Sequence, residues 1–160
     1  MKKKMAYILA SYFGLGFSPF ASGTVGSLFT LPLAFLCAYY WGLSGILAFS
    51  ALVFVIGIIS SHEVLKYTKH DPSLIVIDEV AGQALTFVFL ADKLMYQKES
   101  WLVYAFGFVF FRLFDIWKPQ PVRWADRKVL NAWGVMLDDI FAGLYAAICL
   151  YVLNLYVSLF

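Results

Sequence analysis

Charged residues are scarce in this chain of 160 residues. They make up 14% of the sequence, against roughly 25% in a soluble domain, whereas hydrophobic residues make up 62%, against roughly 45–50%. Such a composition is typical of a protein that crosses a membrane several times. The formal net charge is only +2, so nothing in the overall charge indicates a nucleic-acid partner.

Cysteine and the common catalytic motifs are also scarce or absent. The two cysteines, Cys37 and Cys149, lie inside apolar runs and are expected to be buried thiols without a disulfide. Neither is followed by an arginine six residues later, which disfavours a cysteine phosphatase. The chain has no Asp-x-Asp nucleophile motif, no histidine acid-phosphatase signature and no Gly-x-x-x-x-Gly-Lys phosphate loop. A hydrolase with this sequence would therefore depend on water activated by a metal ion.

Long apolar runs are what the sequence has in abundance. Five of them are predicted to be membrane spans: 25–41, 46–60, 74–91, 101–117 and 134–160. A tight turn is predicted at Gly42–Gly45, between the first two. Pro119 and Pro121 end the fourth run, because proline lacks an N–H and restricts the residue before it. The sequence predicts an all-α polytopic membrane helical bundle of about five spans, forming a single domain over residues 1–160.

The N-terminal residues form a shorter apolar segment. Lys2–Lys4 followed by residues 5–17 has the layout of a signal peptide. Gly14 and Gly16 interrupt this segment, however, and it is too short to span a bilayer. We therefore expect a short interfacial or re-entrant element in place of a cleaved signal.

The basic residues predict the orientation of the bundle. Nine of the twelve Lys and Arg residues fall in the segments 2–4, 61–73 and 118–133, which five spans would place on one side. By the positive-inside rule that side is cytoplasmic. The same threading brings eight of the ten acids to that face: Glu63, Asp71, Asp78, Glu79, Asp115, Asp126, Asp138 and Asp139. This concentration predicts a functional site at the cytoplasmic face.

Two adjacent pairs of carboxylates carry the chemistry that we expect there. Asp78-Glu79 and Asp138-Asp139 each lie near the start of a predicted helix, and Asp115 lies on the same side. Oxygen ligands from such pairs suit one or two hard divalent cations, and Mg²⁺ in particular. For a single pair, helix capping and a favourable interaction with the helix dipole would be an equal explanation.

Basic side chains beside these acids suggest a phosphate ligand. Arg112 and Asp115 share a helix face and either form an internal ion pair or divide between phosphate and metal. Lys118 and Arg123 are candidates for phosphate binding, although topology or contact with anionic lipid would also explain basic residues at this position. Arg123 stands out because the two neighbouring prolines fix the path of its loop.

The small-residue segment 23–27 is a further candidate for phosphate binding. Thr24 and Ser27 supply hydroxyl groups, and backbone N–H groups at a helix start can cradle an anion. Close helix packing is the alternative explanation for small residues in a membrane helix.

Taken together, these residues resemble the phosphatidylglycerophosphatase A family. Two departures concern loops: Ser22 stands where the family usually has proline, and 131–133 where it often has Gly-Gly. The matching blocks follow the family's order and cover nearly the whole chain: 18–19 with 23–27; Asp71 with 75–82; 111–115 with 118–119, 121–123 and Asp126; and 134–139 with 142–143.

The resemblance implies Mg²⁺-dependent hydrolysis of phosphatidylglycerophosphate to phosphatidylglycerol and phosphate. It places the enzyme in phospholipid biosynthesis, in a bacterial-type cytoplasmic membrane, with its site facing the cytoplasm. The residues expected to hold metal and perform catalysis are Asp78, Glu79, Asp115, Asp138 and Asp139; those expected to bind phosphate are Arg112, Lys118, Arg123, Thr24 and Ser27. The general base is one of Asp78, Glu79, Asp138 and Asp139, and the oligomeric state is left open.

Two other functions fit part of the pattern. A phospholipid head-group transferase also uses acids and Mg²⁺ at a membrane edge, but its usual Asp-Gly start with later aspartates four apart is missing. A cation- or proton-coupled transporter would need acids near the middle of the membrane, whereas these lie near span ends. Release of phosphate, measured with and without a chelator, separates the three.

Overall fold

The computed structural model describes residues 3–68, 73–92 and 100–157. All regular secondary structure in these residues is helical, as the sequence predicted. Asp71, which belongs to one of the matching blocks, lies outside the described residues. Six α-helices follow one another, with a short 3₁₀ turn at Leu15–Phe17: α1 Lys3–Ala10, α2 Ser22–Leu65, α3 Ile77–Leu85, α4 Ser100–Trp117, α5 Val122–Lys128 and α6 Ala132–Val157.

The 44-residue α2 reverses direction near its middle. In a straight helix Gly26 and Gly57 would lie about 46 Å apart. A Cβ placed on either glycine would nevertheless meet one of two consecutive residues, Val76 for Gly26 and Ile77 for Gly57. The two arms of α2 must therefore run antiparallel. The reversal occurs at Gly42, whose φ of 54° and ψ of −138° are non-helical and suit glycine, which confirms the predicted turn.

Helix α3 lies in the protein interior, between α2 and α6. Its side chains Val80, Ala81 and Ala84 are completely buried. The hydroxyl of Ser50 donates to the carbonyl of Ala81 at 2.9 Å. The predicted third span, 74–91, forms an α-helix only over Ile77–Leu85, which is about 14 Å of helix and too short to cross a bilayer alone.

Two glycines let the backbones of α3 and α6 touch. A Cβ on Gly143 would collide with the carbonyl of Gly82, and a Cβ on Gly82 would collide with the carbonyl of Asp139. Gly82 follows Asp78 by one helical turn, and Gly143 follows Asp139 by one turn. The close contact therefore holds the acid pairs of the two helices at the same level.

The short N-terminal helix α1 packs against this interior. Ala6 and Ala10 are fully buried, in one cluster with Ile75 and Val80. The backbone N–H of Val76 donates to the carbonyl of Ala10 at 2.9 Å. An eight-residue helix is too short to span a bilayer, in agreement with the expected short N-terminal element.

Two helices of the described chain are long and apolar enough to cross a membrane, judged by length and composition: Ser22–Leu65 and Ala132–Tyr156. Large apolar side chains are exposed along the outside, including Leu52, Val109 and Ile148. These features indicate association with a membrane. The prediction of five spans is not confirmed, because fewer helices meet the criterion and α3 is short.

Candidate active site

Five acidic side chains from three helices converge on one cavity of about 280 Å³. Asp78 and Glu79 come from the first turn of α3, Asp115 from the end of α4, and Asp138 and Asp139 from the second turn of α6. Arg112 and Lys118 line the same cavity. The structure therefore brings together all five acids that the sequence singled out, and two of the three basic residues.

The carboxylates fall into two groups that could each hold a metal ion. Oxygens of Asp78, Glu79 and Asp139 lie within 4.8 Å of one another, as do oxygens of Asp115, Asp138 and Asp139. The Glu79 Oε2 atom is buried and has no hydrogen-bond partner among the described residues. Carboxylate oxygens are ligands of hard divalent cations such as Mg²⁺, Mn²⁺ and Ca²⁺. The site thus fits a metal of this class without selecting one member.

Helix capping explains only part of this arrangement. Asp78 and Glu79 occupy the first turn of α3, where negative charge interacts favourably with the helix dipole. Asp138 and Asp139 lie in the second turn of α6, which starts at Ala132, and the dipole effect fades within the first turn. The second pair is therefore not accounted for by a role at a helix start.

The basic side chains in the cavity are held by acids. Arg112 Nη1 lies 2.8 Å from Asp115 Oδ2, which is the ion pair considered from the sequence. Lys118 Nζ lies 2.8 Å from Asp126 Oδ1 and 2.7 Å from Asp138 Oδ2. Burial alone would lower the pKa of Lys118, but the carboxylates of Asp138 and Asp126 outweigh it and raise that pKa above its usual value. Lys118 is therefore a fixed positive charge beside the metal candidates.

Three residues predicted to bind phosphate do not line this cavity. Arg123 is exposed on α5. Thr24 is half-buried, and the hydroxyl of Ser27 donates to the carbonyl of Gly23 at 2.8 Å inside α2. Ser22 and Gly23 line the cavity in their place. Because the first N–H groups of a helix have no acceptor within it, the start of α2 still presents donors here.

Gly23 lies close to Glu79 and Arg112 in the cavity wall. A Cβ at this position would collide with the Glu79 carboxylate and would lie 3.2 Å from Arg112 Nη1. With glycine here, the start of α2 approaches both side chains in their present positions, whereas a larger residue would displace the Glu79 carboxylate. The small-residue segment 23–27 was recognised in the sequence, but the residue that faces the acids could not be chosen without the rotation of the helix.

Sequence reasoning missed several other contributors. Ala21 and Ser73 complete the wall of the cavity together with Ile75, which belongs to a matching block, and Asp126 holds Lys118. The sequence does place Asp126 among the acids of the cytoplasmic face and in a matching block. It does not indicate that Asp126 pairs with Lys118. The wall residues carry no chemistry that a sequence pattern could reveal.

Comparison with known proteins gives a consistent result. A family model described as PgpA, Phosphatidylglycerophosphatase A, matches residues 8–154. A protein of that name from Escherichia coli is 38% identical over 147 residues, covering 91% of this chain and 81% of the relative. Another from Haemophilus influenzae is 36% identical over 151 residues, covering 92% and 88%.

A third relative has a different name. This protein of Bacteroides thetaiotaomicron, provisionally named a phosphatidylinositol-3-phosphatase, is 34% identical over 145 residues, covering 88% of each chain. No solved structure matches the chain.

Proposed function

The chain belongs to the phosphatidylglycerophosphatase A family and is a phosphoric monoester hydrolase, and from this premise we propose that it hydrolyses phosphatidylglycerophosphate with the help of Mg²⁺. The products are phosphatidylglycerol and inorganic phosphate. The observation that carries the proposal is the cavity in which five carboxylates from α3, α4 and α6 surround two basic side chains. The same arrangement supports the sequence-based assignment of these seven residues.

In the proposed reaction, the basic side chains bind the substrate and an acid accepts a proton. Arg112 and Lys118 hold phosphate oxygens, with backbone N–H groups from the start of α2 beside them. Thr24 and Ser27 support this helix start. A carboxylate among Asp78, Glu79, Asp138 and Asp139 accepts the proton of the attacking water as the phosphorus–oxygen ester bond breaks, and returns it to the glycerol oxygen that leaves. When bound, Mg²⁺ would neutralise charge that develops on the phosphoryl oxygens and make water more acidic.

We further propose that the chain forms one membrane domain with five crossings. These are the two arms of α2, the segment 74–91, α4 and α6. The positive-inside rule then puts the cavity at the cytoplasmic face of a bacterial-type membrane, where the lipid would enter sideways with its acyl chains still in the bilayer. The antiparallel arms of α2 support this threading, since both of their outer ends adjoin the start of α3.

Removal of divalent metal is expected to abolish activity. The purified full chain in detergent micelles should release phosphate from phosphatidylglycerophosphate, and EDTA should lower the rate by at least about 10²-fold. Excess Mg²⁺ should restore it, because the carboxylate cluster would regain its counter-charge. The measurement is phosphate release, with phosphatidylinositol 3-phosphate as a comparison substrate. A transferase or a transporter would release no phosphate, and release that is unaffected by EDTA would refute the metal requirement.

Substitution of Arg123 tests whether this exposed residue binds the substrate. If Arg123 contacts the phosphate, Arg123→Ala should raise KM about tenfold while kcat changes less, which corresponds to the loss of one charge-assisted hydrogen bond. Lys128→Ala, an exposed basic position on the same helix, is the matched control. An unchanged KM for Arg123→Ala would mean that Arg123 contributes to topology alone.

A further inference from the structure

We infer that the cavity holds two divalent cations that share the carboxylate of Asp139. The inference rests on the proposed metal-dependent phosphatase function and concerns the number of ions and the residues that hold each one.

The arrangement of the carboxylates is the first argument. Asp139 belongs to both groups of close oxygens, with Asp78 and Glu79 on the side of α3 and with Asp115 and Asp138 on the other side. Among the described residues, no group of oxygens within 4.8 Å of one another includes all five acids. One ion bound centrally would therefore leave part of the acid cluster out of reach. Two ions, each held by three residues with Asp139 in common, use every carboxylate.

The charge of the cavity is the second argument. Asp126 shares Lys118 with Asp138, so six acids stand against the two basic side chains Arg112 and Lys118, a formal excess of four negative charges. That excess is larger than the charge of one divalent ion, and a phosphomonoester substrate brings up to two further negative charges. Two divalent ions neutralise this excess, so that a phosphomonoester no longer meets a net negative charge.

The buried acids that lack a basic partner are the third argument. Asp139 is only 2% exposed, and Glu79 Oε2 is buried without a hydrogen-bond partner. The basic side chains of the cavity pair with other acids: Arg112 with Asp115, and Lys118 with Asp126 and Asp138. A buried carboxylate without a direct ion pair is costly, and a cation beside Glu79 and Asp139 lowers that cost.

A shared carboxylate also suits the chemistry. Asp139 would hold the two ions at a fixed separation, the arrangement that many phosphoryl-transfer sites use to stabilise both the attacking and the leaving oxygen. The contact between Gly82 and the carbonyl of Asp139 fixes this residue in the protein interior.

Metal counting with Mn²⁺, which shares the oxygen preference of Mg²⁺, tests the inference directly. The full chain in detergent should bind two Mn²⁺ per chain by calorimetry and give the electron paramagnetic resonance spectrum of a magnetically coupled pair. Glu79→Gln and Asp115→Asn should each leave one ion, without coupling, at a concentration that saturates both sites of the unmodified chain. Glu63→Gln, which changes an acid outside the cavity, should keep both ions and their coupling.

Asp139→Asn should bind at most one ion and lose the coupled signal. Circular dichroism checks that each variant keeps its helices, and if Asp139→Asn does not fold, Glu79→Gln and Asp115→Asn decide the matter. A single Mn²⁺ at saturation of the unmodified chain, or two ions without coupling, would overturn the inference. In that case, phosphate release that depends on metal would still support the proposed function. Two coupled ions without any phosphate release would contradict the proposed function and not the number of ions.

Discussion

Asp78→Asn is expected to lower kcat for phosphate release by on the order of 10³-fold. The change keeps the shape of the side chain and removes a negative ligand from the group that Asp78 forms with Glu79 and Asp139. The substitution weakens binding of a cation that would stabilise negative charge in the transition state. Loss of a single interaction of this kind commonly lowers kcat by about 10²–10³-fold. The measurement is steady-state phosphate release at several Mg²⁺ concentrations. Higher Mg²⁺ should recover part of the lost rate.

Asp92→Asn is the matched control for Asp78→Asn. Asp92 Oδ1 accepts a hydrogen bond from the N–H of Leu43 at 3.2 Å, next to the reversal of α2 and about 24 Å of helix from Gly26. Asparagine keeps an oxygen acceptor there, so activity should stay within about twofold. Near-normal turnover of Asp78→Asn in Mg²⁺ would remove Asp78 from the metal ligands.

Gly143→Ala is expected to cause a large loss of activity from a position that lies outside the cavity wall. The added Cβ would collide with the backbone of Gly82 and push α3 away from α6. This displaces Asp78 and Glu79 from Asp138 and Asp139, and a displacement of about 1 Å at a reacting site costs roughly 10²-fold. Overpacking should also lower the free energy of unfolding by about 1–3 kcal/mol. Turnover and thermal unfolding in detergent measure the two effects.

The sign of the effect on stability distinguishes this steric explanation from intrinsic helix preference. Alanine favours a helix over glycine by about 1 kcal/mol, so an uncrowded glycine would become more stable on substitution. A higher unfolding temperature for Gly143→Ala, with unchanged turnover, would contradict the close contact between the two helices. Leu144→Ala, at the neighbouring exposed position, should leave turnover nearly unchanged.

The features that were predicted correctly depend on local signals in the sequence. Apolar runs and their interruptions indicated helices throughout, and Gly42 supplied the conformation for a reversal. The asymmetric distribution of the charged residues then predicted that acids far apart in the sequence lie at the same end of the bundle. The convergence of Asp78, Asp115 and Asp138 in a cavity follows from that alignment and did not require knowledge of side-chain packing.

The features that were missed depend on what surrounds a helix. The apolar run 74–91 was predicted to be the third membrane span, yet its α-helix covers only Ile77–Leu85, and Val80, Ala81 and Ala84 are buried by protein. Apolar residues suit either environment, so composition could not separate them. Ser22 and Gly23 line the cavity instead of Thr24 and Ser27 because of the rotation of α2 about its axis. The ion pair between Lys118 and Asp126 depends on the path of the loop before α5.

The reversal at Gly42 has a consequence for biosynthesis. The tip between the two arms of α2, residues 41–45, contains no charged side chain. If the arms cross the bilayer as proposed, they can be inserted together as a hairpin without moving a charged side chain through the lipid. The N–H of Leu43 donates to Asp92, which is synthesised later than both arms. This hydrogen bond at the tip can therefore form only after the segment that ends at Asp92 has been synthesised.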